Sequence, residues 1–342
     1  MKKFEGYMHG VNLGGWLSQC NHTKERYDNF ISFEDIEKIK GWGLDHIRVP
    51  VDYNLVEDED GNYKEEGFSY IQKAIDWAGK CGLNMVLDLH KTYGFSFDAG
   101  EKEEGFFESE AYQERFYKLW EEFARRYSKY YSRLCFELLN EVTDKEYSDT
   151  WNRISGTCIK RIRAISKNIK ILVGGYYNNS IEALWDLEYP VDDNIVYNFH
   201  CYEPLVFTHQ GAYWIEGMDR SFRMPFESSY GDYNEYSKKN LPGFSLPMKN
   251  YLTEDVIGIE YFDNLVSEAV RVAEERNVAL YCGEFGVINN ATAEDSLKWY
   301  KMICSCFDKN GIGRAAWSYK EMDFGISDDH MNSVRDEIIN AI

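Results

Sequence analysis

A chain of 342 residues with 58 acidic and 38 basic side chains has a formal charge of −20, which argues against a nucleic-acid surface built on clustered Lys and Arg. Its 44% apolar content is enough for a sizeable core, and its 28% charged content fits a soluble globular protein. The aromatic share is 16%, with 26 Tyr, 20 Phe and 9 Trp; this excess suits rings that stack on flat apolar faces as well as rings that fill a core.

Residues 8–16 read as a short strand running into the glycine-permitted turn Gly14-Gly15. Ser32 and Asp35 form a capping-box pattern for a helix carrying Ile36 and Ile39, stopped by Gly41 and Gly43. Residues 45–50 are a second strand closed by Pro50. A helix through Tyr70, Ile71, Ala74, Ile75 and Ala78 follows and ends at Gly82, before a third strand at 84–90. Tyr112, Phe116, Leu119, Trp120, Phe123 and Tyr127 recur at helical spacing and are assigned to core packing. A fourth strand spans 134–140, and a helix bearing Trp151, Ile154, Cys158, Ile162 and Ile165 leads to a fifth at 170–174. A short helix near 181–187 precedes a sixth strand at 194–200.

The rhythm breaks at 201–258, which is rich in Pro, Gly, Ser and aromatics and shows no clear long helix. It resumes with a helix through Phe262, Val266, Ala269 and Ala273. Then come a seventh strand at 278–283, a helix with Leu297, Tyr300 and Ile303, an eighth strand at 314–319, and a last helix through Val334 and Ile338.

Apolar strands alternating with helices imply a parallel sheet buried on both faces. With the 201–258 excursion set aside, the units run at about 28 residues, close to the ~31 of a (β/α)8 barrel. No Gly-x-Gly-x-x-Gly turn follows the first strand, which disfavours an open dinucleotide-binding sheet. The expected fold is therefore α/β, a (β/α)8 TIM barrel. It forms a single domain over 1–342 with an inserted subdomain at 201–258 after the sixth strand, on the face where barrel active sites lie.

Polar residues that end apolar strands converge on that face. Arg48 ends the second strand, His90 the third, Asn140 and Glu141 the fourth, and His200 with Tyr202 the sixth; Glu284 ends the seventh and Trp317 the eighth. Taken singly each has a structural explanation, and Glu137 inside the fourth strand is assigned to packing with a buried partner. Together they describe a site. Glu141 and Glu284 are expected to face each other across it.

Asn140-Glu141 after an apolar strand and Gly283-Glu284-Phe285-Gly286 resemble the signatures of glycoside hydrolase family 5. The resemblance covers nearly the whole chain. It extends to Asn12-Leu13-Gly14-Gly15-Trp16, His46-Ile47-Arg48-Val49-Pro50, Asp88-Leu89-His90, Tyr197-Asn198-Phe199-His200 with Tyr202, and Ala316-Trp317. Phe136 to Asn140, Phe207 to Gln210 and Met322 to Phe324 match compact clostridial endoglucanases of the family, while Val142 stands where many relatives have Pro.

The resemblance implies a retaining endo-β-1,4-glucanase with Glu141 as general acid/base and Glu284 as nucleophile, the latter kept ionised by Arg48 and Tyr202. It also implies that Asn140 binds the sugar 2-hydroxyl, that His90 and His200 hold hydroxyls or orient the acid, and that Trp317 floors the subsite at the cleaved sugar. Trp214 is singled out as a platform for a neighbouring sugar and Trp16 as a second. The remaining aromatics of 201–258 are expected mostly to pack that segment's own core.

Mannanase or glucomannanase action and exo-acting β-glucosidase action stay open, because loop variation alone separates them. A catalytically decayed sugar-binding barrel is the non-enzymatic alternative, disfavoured because both carboxylates are present. Although Asp88 and His90 are at hand, no His-x-His or His-Glu-x-x-His element calls for a metal. No cofactor is expected. The expected partner is a β-glucan or cello-oligosaccharide, with no nucleic acid and no membrane, and a monomer by default. The charged start Met1-Lys2-Lys3 lacks a signal-peptide core and the eight cysteines show no paired framework, so a reducing, cytoplasmic location is expected by default, with a non-classical route outside the cell as the alternative.

Overall fold

The computed structural model describes residues 1–98, 100–241 and 251–342. Eight parallel strands close into one barrel in sequence order: β1 (His9–Asn12), β2 (His46–Asp52), β3 (Asn84–Lys91), β4 (Leu134–Glu137), β5 (Lys170–Val173), β6 (Ile195–His200), β7 (Ala279–Phe285) and β8 (Gly313–Ala316). Closure through β1 and β8 leaves no free sheet edge. No helix among the described residues is long and apolar enough to cross a membrane.

The helices pack their apolar stripes on the outside of the barrel. In the Glu110–Tyr127 helix the buried stripe is Phe116, Leu119, Trp120, Phe123 and Tyr127, and Ser109 caps its start by accepting the Tyr112 N–H. Each such side chain taken fully out of water contributes about 1.5–3 kcal/mol. The Ser32–Asp35 capping box starts the Phe33–Gly41 helix as expected. Gly311, at φ 65°, turns the chain out of the Ala293–Asn310 helix in the left-handed conformation that glycine adopts most readily.

The strand faces alternate. Outward positions such as Leu87, Phe136 and Phe199 join the large core beneath the helices. The lowest inward layer is apolar, with Phe4 and Tyr7 plugging a ring that includes Val86, Cys135, Val196 and Tyr281. Two residues further up β2, β3, β4 and β6, the inward positions are Arg48, Asp88, Glu137 and Asn198, all fully buried. The barrel interior thus changes from apolar to charged within about 7 Å of strand rise.

Several expected elements end elsewhere. The ladder of β4 stops at Glu137, short of the expected 140, and beyond it the Leu138 N–H bonds Leu172 O of β5 and the Asn140 N–H bonds Leu89 O of β3. The expected short helix at 181–187 is the 3-10 turn Glu182–Asp186. The stretch 201–258, expected to lack a long helix, contains Tyr230–Asn240, capped by Ser229 and Asp232. Its buried side is Tyr230, Tyr233, Ser237 and Asn240, a half-polar stripe that gives no apolar periodicity to detect. Residues 242–250, also within that stretch, lie outside the described residues. Phe207, Phe226, Tyr230 and Tyr233 pack inward, whereas Tyr213 is exposed at the mouth of the barrel.

Candidate active site

The floor of the site is organised by one guanidinium. Arg48 donates from Nε and Nη2 to the two oxygens of Glu137 at 2.7 and 2.8 Å, and from Nη1 to Glu284 Oε1 at 2.7 Å and Asn12 Oδ1 at 2.9 Å. Its Nη2 also reaches Asn140 Oδ1 at 2.8 Å and Asp88 Oδ2 at 3.0 Å. Asn198 completes Glu137 with a 2.7 Å bond and accepts from the Gly283 N–H. A buried arginine held on every edge of its fork cannot change rotamer without leaving carboxylates unpaired, so it fixes the positions of the groups it touches.

Glu284 points inward because β7 carries an irregularity. Tyr281 faces the barrel interior and Cys282 the helices, while Phe285 packs outward on Phe307. The β7–β8 register shifts between Cys282 and Phe285, and His200 pairs with Glu284 rather than with Gly283. Without that slip, period-two alternation would point Glu284 outward with Cys282. Glu141 is aimed by a different device, a left-handed backbone with φ of 44° directly after Asn140.

The two carboxyls meet across His200. Nδ1 of His200 lies 2.8 Å from Glu141 Oε1 and 3.7 Å from Glu284 Oε2, and one oxygen of each glutamate lies within 4.8 Å of the other. Asn179 Nδ2 donates to His200 Nε2 at 3.3 Å, which leaves Nδ1–H to face Glu141. Burial pushes His200 down to about 4, in keeping with a neutral ring.

Burial raises both carboxyls, Glu141 to about 7 and Glu284 to about 7, so the pair retains a proton near neutrality. Hydrogen bonding decides where that proton sits. Glu284 accepts from the Arg48 guanidinium and, at 2.9 Å, from the Tyr202 hydroxyl. Among the described residues Glu141 accepts only from neutral groups, His200 and the Asn178 amide at 3.0 Å. Glu284 is the better stabilised anion, and Glu141 keeps the proton.

A second proton is held on the β3 side. Gln19 Nε2 donates to Asp98 at 2.8 Å, which turns its Oε1 toward His90 Nε2 at 3.1 Å. That acceptor requires Nε2–H, so Nδ1 of His90 receives a proton from Asp88 at 2.6 Å. Burial raises Asp88 to about 7 and pushes His90 well down, consistent with a protonated Asp88 beside a neutral ring.

Above this floor opens a cleft of about 820 Å³. Glu141, Glu284, Tyr202, His90, Trp317 and Trp214 all line it. Trp317 lies parallel to His90, centroids 5.7 Å apart at 7°, over Gly14, where a Cβ would sit 2.7 Å from the indole. Arg48, Asn140 and His200 lie beneath as its support. Trp16 does not reach the cleft. It is fully buried, stacks on Trp77 at 6.2 Å and donates its indole N–H to Tyr27 O, so its expected place as a sugar platform is corrected to core packing. Gln19, Asp52, Lys91, Asp98 and Asn178 line the cleft although the sequence reading did not select them. Asp52 and Lys91 are the last residues of β2 and β3, and Gln19, Asp98 and Asn178 stand on the connecting segments, where polar residues are ordinary; only the Asn178-Asn179 pair, a residue type tolerant of left-handed turns, left a local signal.

Glu141, His200 and Glu284 are close enough to be metal ligands. Arg48 already supplies the positive charge at Glu284, and the His200 nitrogen facing the cluster carries hydrogen rather than a lone pair. The trio fits proton transfer better than coordination.

The chain is 48% identical to cellodextrinase A of Ruminococcus flavefaciens over 314 residues, 92% of this chain and 86% of the relative. It is 39% identical to endoglucanase C of Acetivibrio thermocellus over 337 residues, 97% of each. The fold superposes on an endoglucanase of Thermotoga maritima with a TM-score of 0.76 and 26% identity, over 98% of this chain and 97% of the other. It also superposes on the cellulose synthase subunit Z of Clostridioides difficile with a TM-score of 0.76 and 28% identity, over 98% and 99%. The model of the cellulase family, glycosyl hydrolase family 5, matches residues 11–323, a span that begins within β1, takes in β2 to β8 and includes both carboxyls. The chain accordingly belongs to that family and is a glycoside hydrolase.

Proposed function

We propose that the protein is a retaining endo-β-1,4-glucanase that cleaves soluble β-glucans and cello-oligosaccharides. The observation that carries this reading is the close approach of Glu141 and Glu284, within 4.8 Å between nearest oxygens at the base of an open cleft. Retaining glycosidases hold the two carboxyl groups ~5–5.5 Å apart, whereas inverting ones leave ~6.5–9.5 Å for a water.

In the first step Glu284 attacks the anomeric carbon while Glu141 gives its proton to the leaving glycosidic oxygen. The bond to that oxygen breaks and a glycosyl ester forms on Glu284. In the second step water attacks the same carbon, Glu141 takes the water's proton, and the ester bond breaks to release Glu284 as carboxylate. Asn140 Nδ2 is buried with no partner of its own and is therefore free to donate to the sugar 2-hydroxyl. Trp317 offers the sugar ring an apolar floor beside His90, and Trp214 extends the apolar surface along the cleft.

A preference for short cellodextrins over long chains is the second reading, favoured by the 48% identity to a cellodextrinase. The test uses carboxymethyl-cellulose, barley β-glucan, glucomannan and cellohexaose, with products and their anomeric configuration followed by NMR. Short oligosaccharides appearing first as the β-anomer, and lost by about 10⁴-fold or more in Glu284→Gln, are expected. An α-anomer appearing first would overturn retention. Turnover confined to cellohexaose would establish the cellodextrin reading, and no turnover of any substrate would remove both.

A further inference from the structure

The turn that follows β5 is strained and rests on the active site. Tyr177, Asn178 and Asn179 are consecutive non-glycine residues at φ of 49°, 56° and 57°, a left-handed run that L side chains resist. The turn is clamped to the loop leaving Glu141, for the Tyr177 N–H bonds Thr143 O at 3.1 Å and the Asn178 N–H bonds Val142 O at 3.0 Å. Both asparagine side chains then act on one carboxyl. Asn178 Nδ2 donates to Glu141 Oε2 at 3.0 Å, and Asn179 Nδ2 holds His200, whose Nδ1 lies 2.8 Å from Glu141 Oε1.

We propose that this left-handed turn is a positioning device for the general acid/base, in which Asn178 orients Glu141 and governs when it releases its proton. The inference rests on the reading of Glu141 as acid/base given above. An N–H donor favours the carboxylate over the acid, so the amide works against the burial that raises Glu141, and it does so more strongly than any charged neighbour. Those neighbours come from every side. Arg48 of β2 favours the anion; Asp98 beyond β3, Glu137 of β4 and Glu284 of β7 oppose it; the protonated Asp88 of β3 and the His200 and Tyr202 side chains are neutral neighbours. None of the charged groups donates a hydrogen bond to Glu141 Oε2, whereas Asn178 does.

Two substitutions at Asn178 separate positioning from mere structure. Asn178→Gly removes the amide and keeps the left-handed backbone at no steric cost, so the turn still forms. Asn178→Asp is isosteric and replaces the donor by an acceptor. The readouts are kcat/KM against pH on β-glucan and on 2,4-dinitrophenyl β-cellobioside, whose leaving group needs no proton, together with the thermal midpoint. The basic limb on β-glucan, set by loss of the Glu141 proton, should move up by about one pH unit in Asn178→Gly and further in Asn178→Asp, while the activated substrate shows no such limb. Limbs that superimpose on the wild type, with a loss equal at all pH values, would show Asn178 to be structural and overturn the proposal; so would a Gly variant that unfolds below the assay temperature. Glu141→Gln tests the underlying reading separately. If it loses the activated substrate as severely as β-glucan, the acid/base assignment fails whatever the Asn178 variants do.

Discussion

A buried histidine paired with a carboxylate occurs at both ends of this barrel, and the two pairs have opposite consequences. At the lower end His46 lies 2.6 Å from Asp45 and 2.7 Å from the Tyr281 hydroxyl, in a layer so tight that a Cβ on Gly10 would sit 2.3 Å from the imidazole. Burial works to raise Asp45, but His46 and the backbone N–H groups of Met8 and His9 bring it below the usual carboxylate range. Among the described residues the Asp45, His46 and Tyr281 side chains there are all partnered, and the Tyr7 hydroxyl is not. At the upper end His200 stands between Glu141 and Glu284. There burial wins, Glu141 is raised to about 7, and the Asn140 amide nitrogen is left unpartnered. The difference lies in the surroundings rather than in the residue types. Where hydrogen bonds to the carboxylate outweigh burial the pair is an anchor, whereas two adjoining carboxyls that burial raises beside a cleft make a proton-transfer site.

This contrast can be broken most severely at Arg48. Arg48→Met should abolish hydrolysis and cost about 3–5 kcal/mol in urea unfolding, since Glu137 would remain buried without its cation. Stability equal to wild type would mean that the upper network does not depend on the guanidinium. His46→Phe probes the other end. It should cost about 1–3 kcal/mol for the orphaned Tyr281 hydroxyl while leaving kcat/KM and its pH profile unchanged. A displaced pH profile in that variant would erase the distinction between the two ends. The smallest effect is expected at Trp214, which is half-buried on the cleft wall. Trp214→Ala should raise KM for cellohexaose about three- to tenfold with kcat and the thermal midpoint nearly unchanged; an equal fall in kcat would place it nearer the reacting bond than a platform.

Much of the site was legible because a parallel barrel turns strand ends into a common surface. His90, Glu141, His200, Glu284 and Trp317 are far apart in the chain, yet each closes an apolar run, and closure of the sheet leaves those ends only one place to meet; Arg48, expected to end the second strand, instead lies inside β2, His46–Asp52, and meets them from below. The interior alternation of β2, β3, β4 and β6 was equally present in the sequence, as Arg48, Asp88, Glu137 and Asn198 two residues above a lower inward position, but apolar neighbours on both sides masked it.

Fold class, strand order and the pair of carboxyls were therefore determined by the sequence, through local apolar periodicity and the chemistry of strand-terminal residues. Tertiary structure alone decided three things. The slip in β7 turned Glu284 inward, because register is set by pairing with β6 and β8 and not by the strand's own residues. The full burial of Trp16 came from its stack on Trp77, 61 positions away in sequence. The protonation of Glu141 depends on desolvation and on an amide from the turn after β5, and neither exists until the barrel has closed.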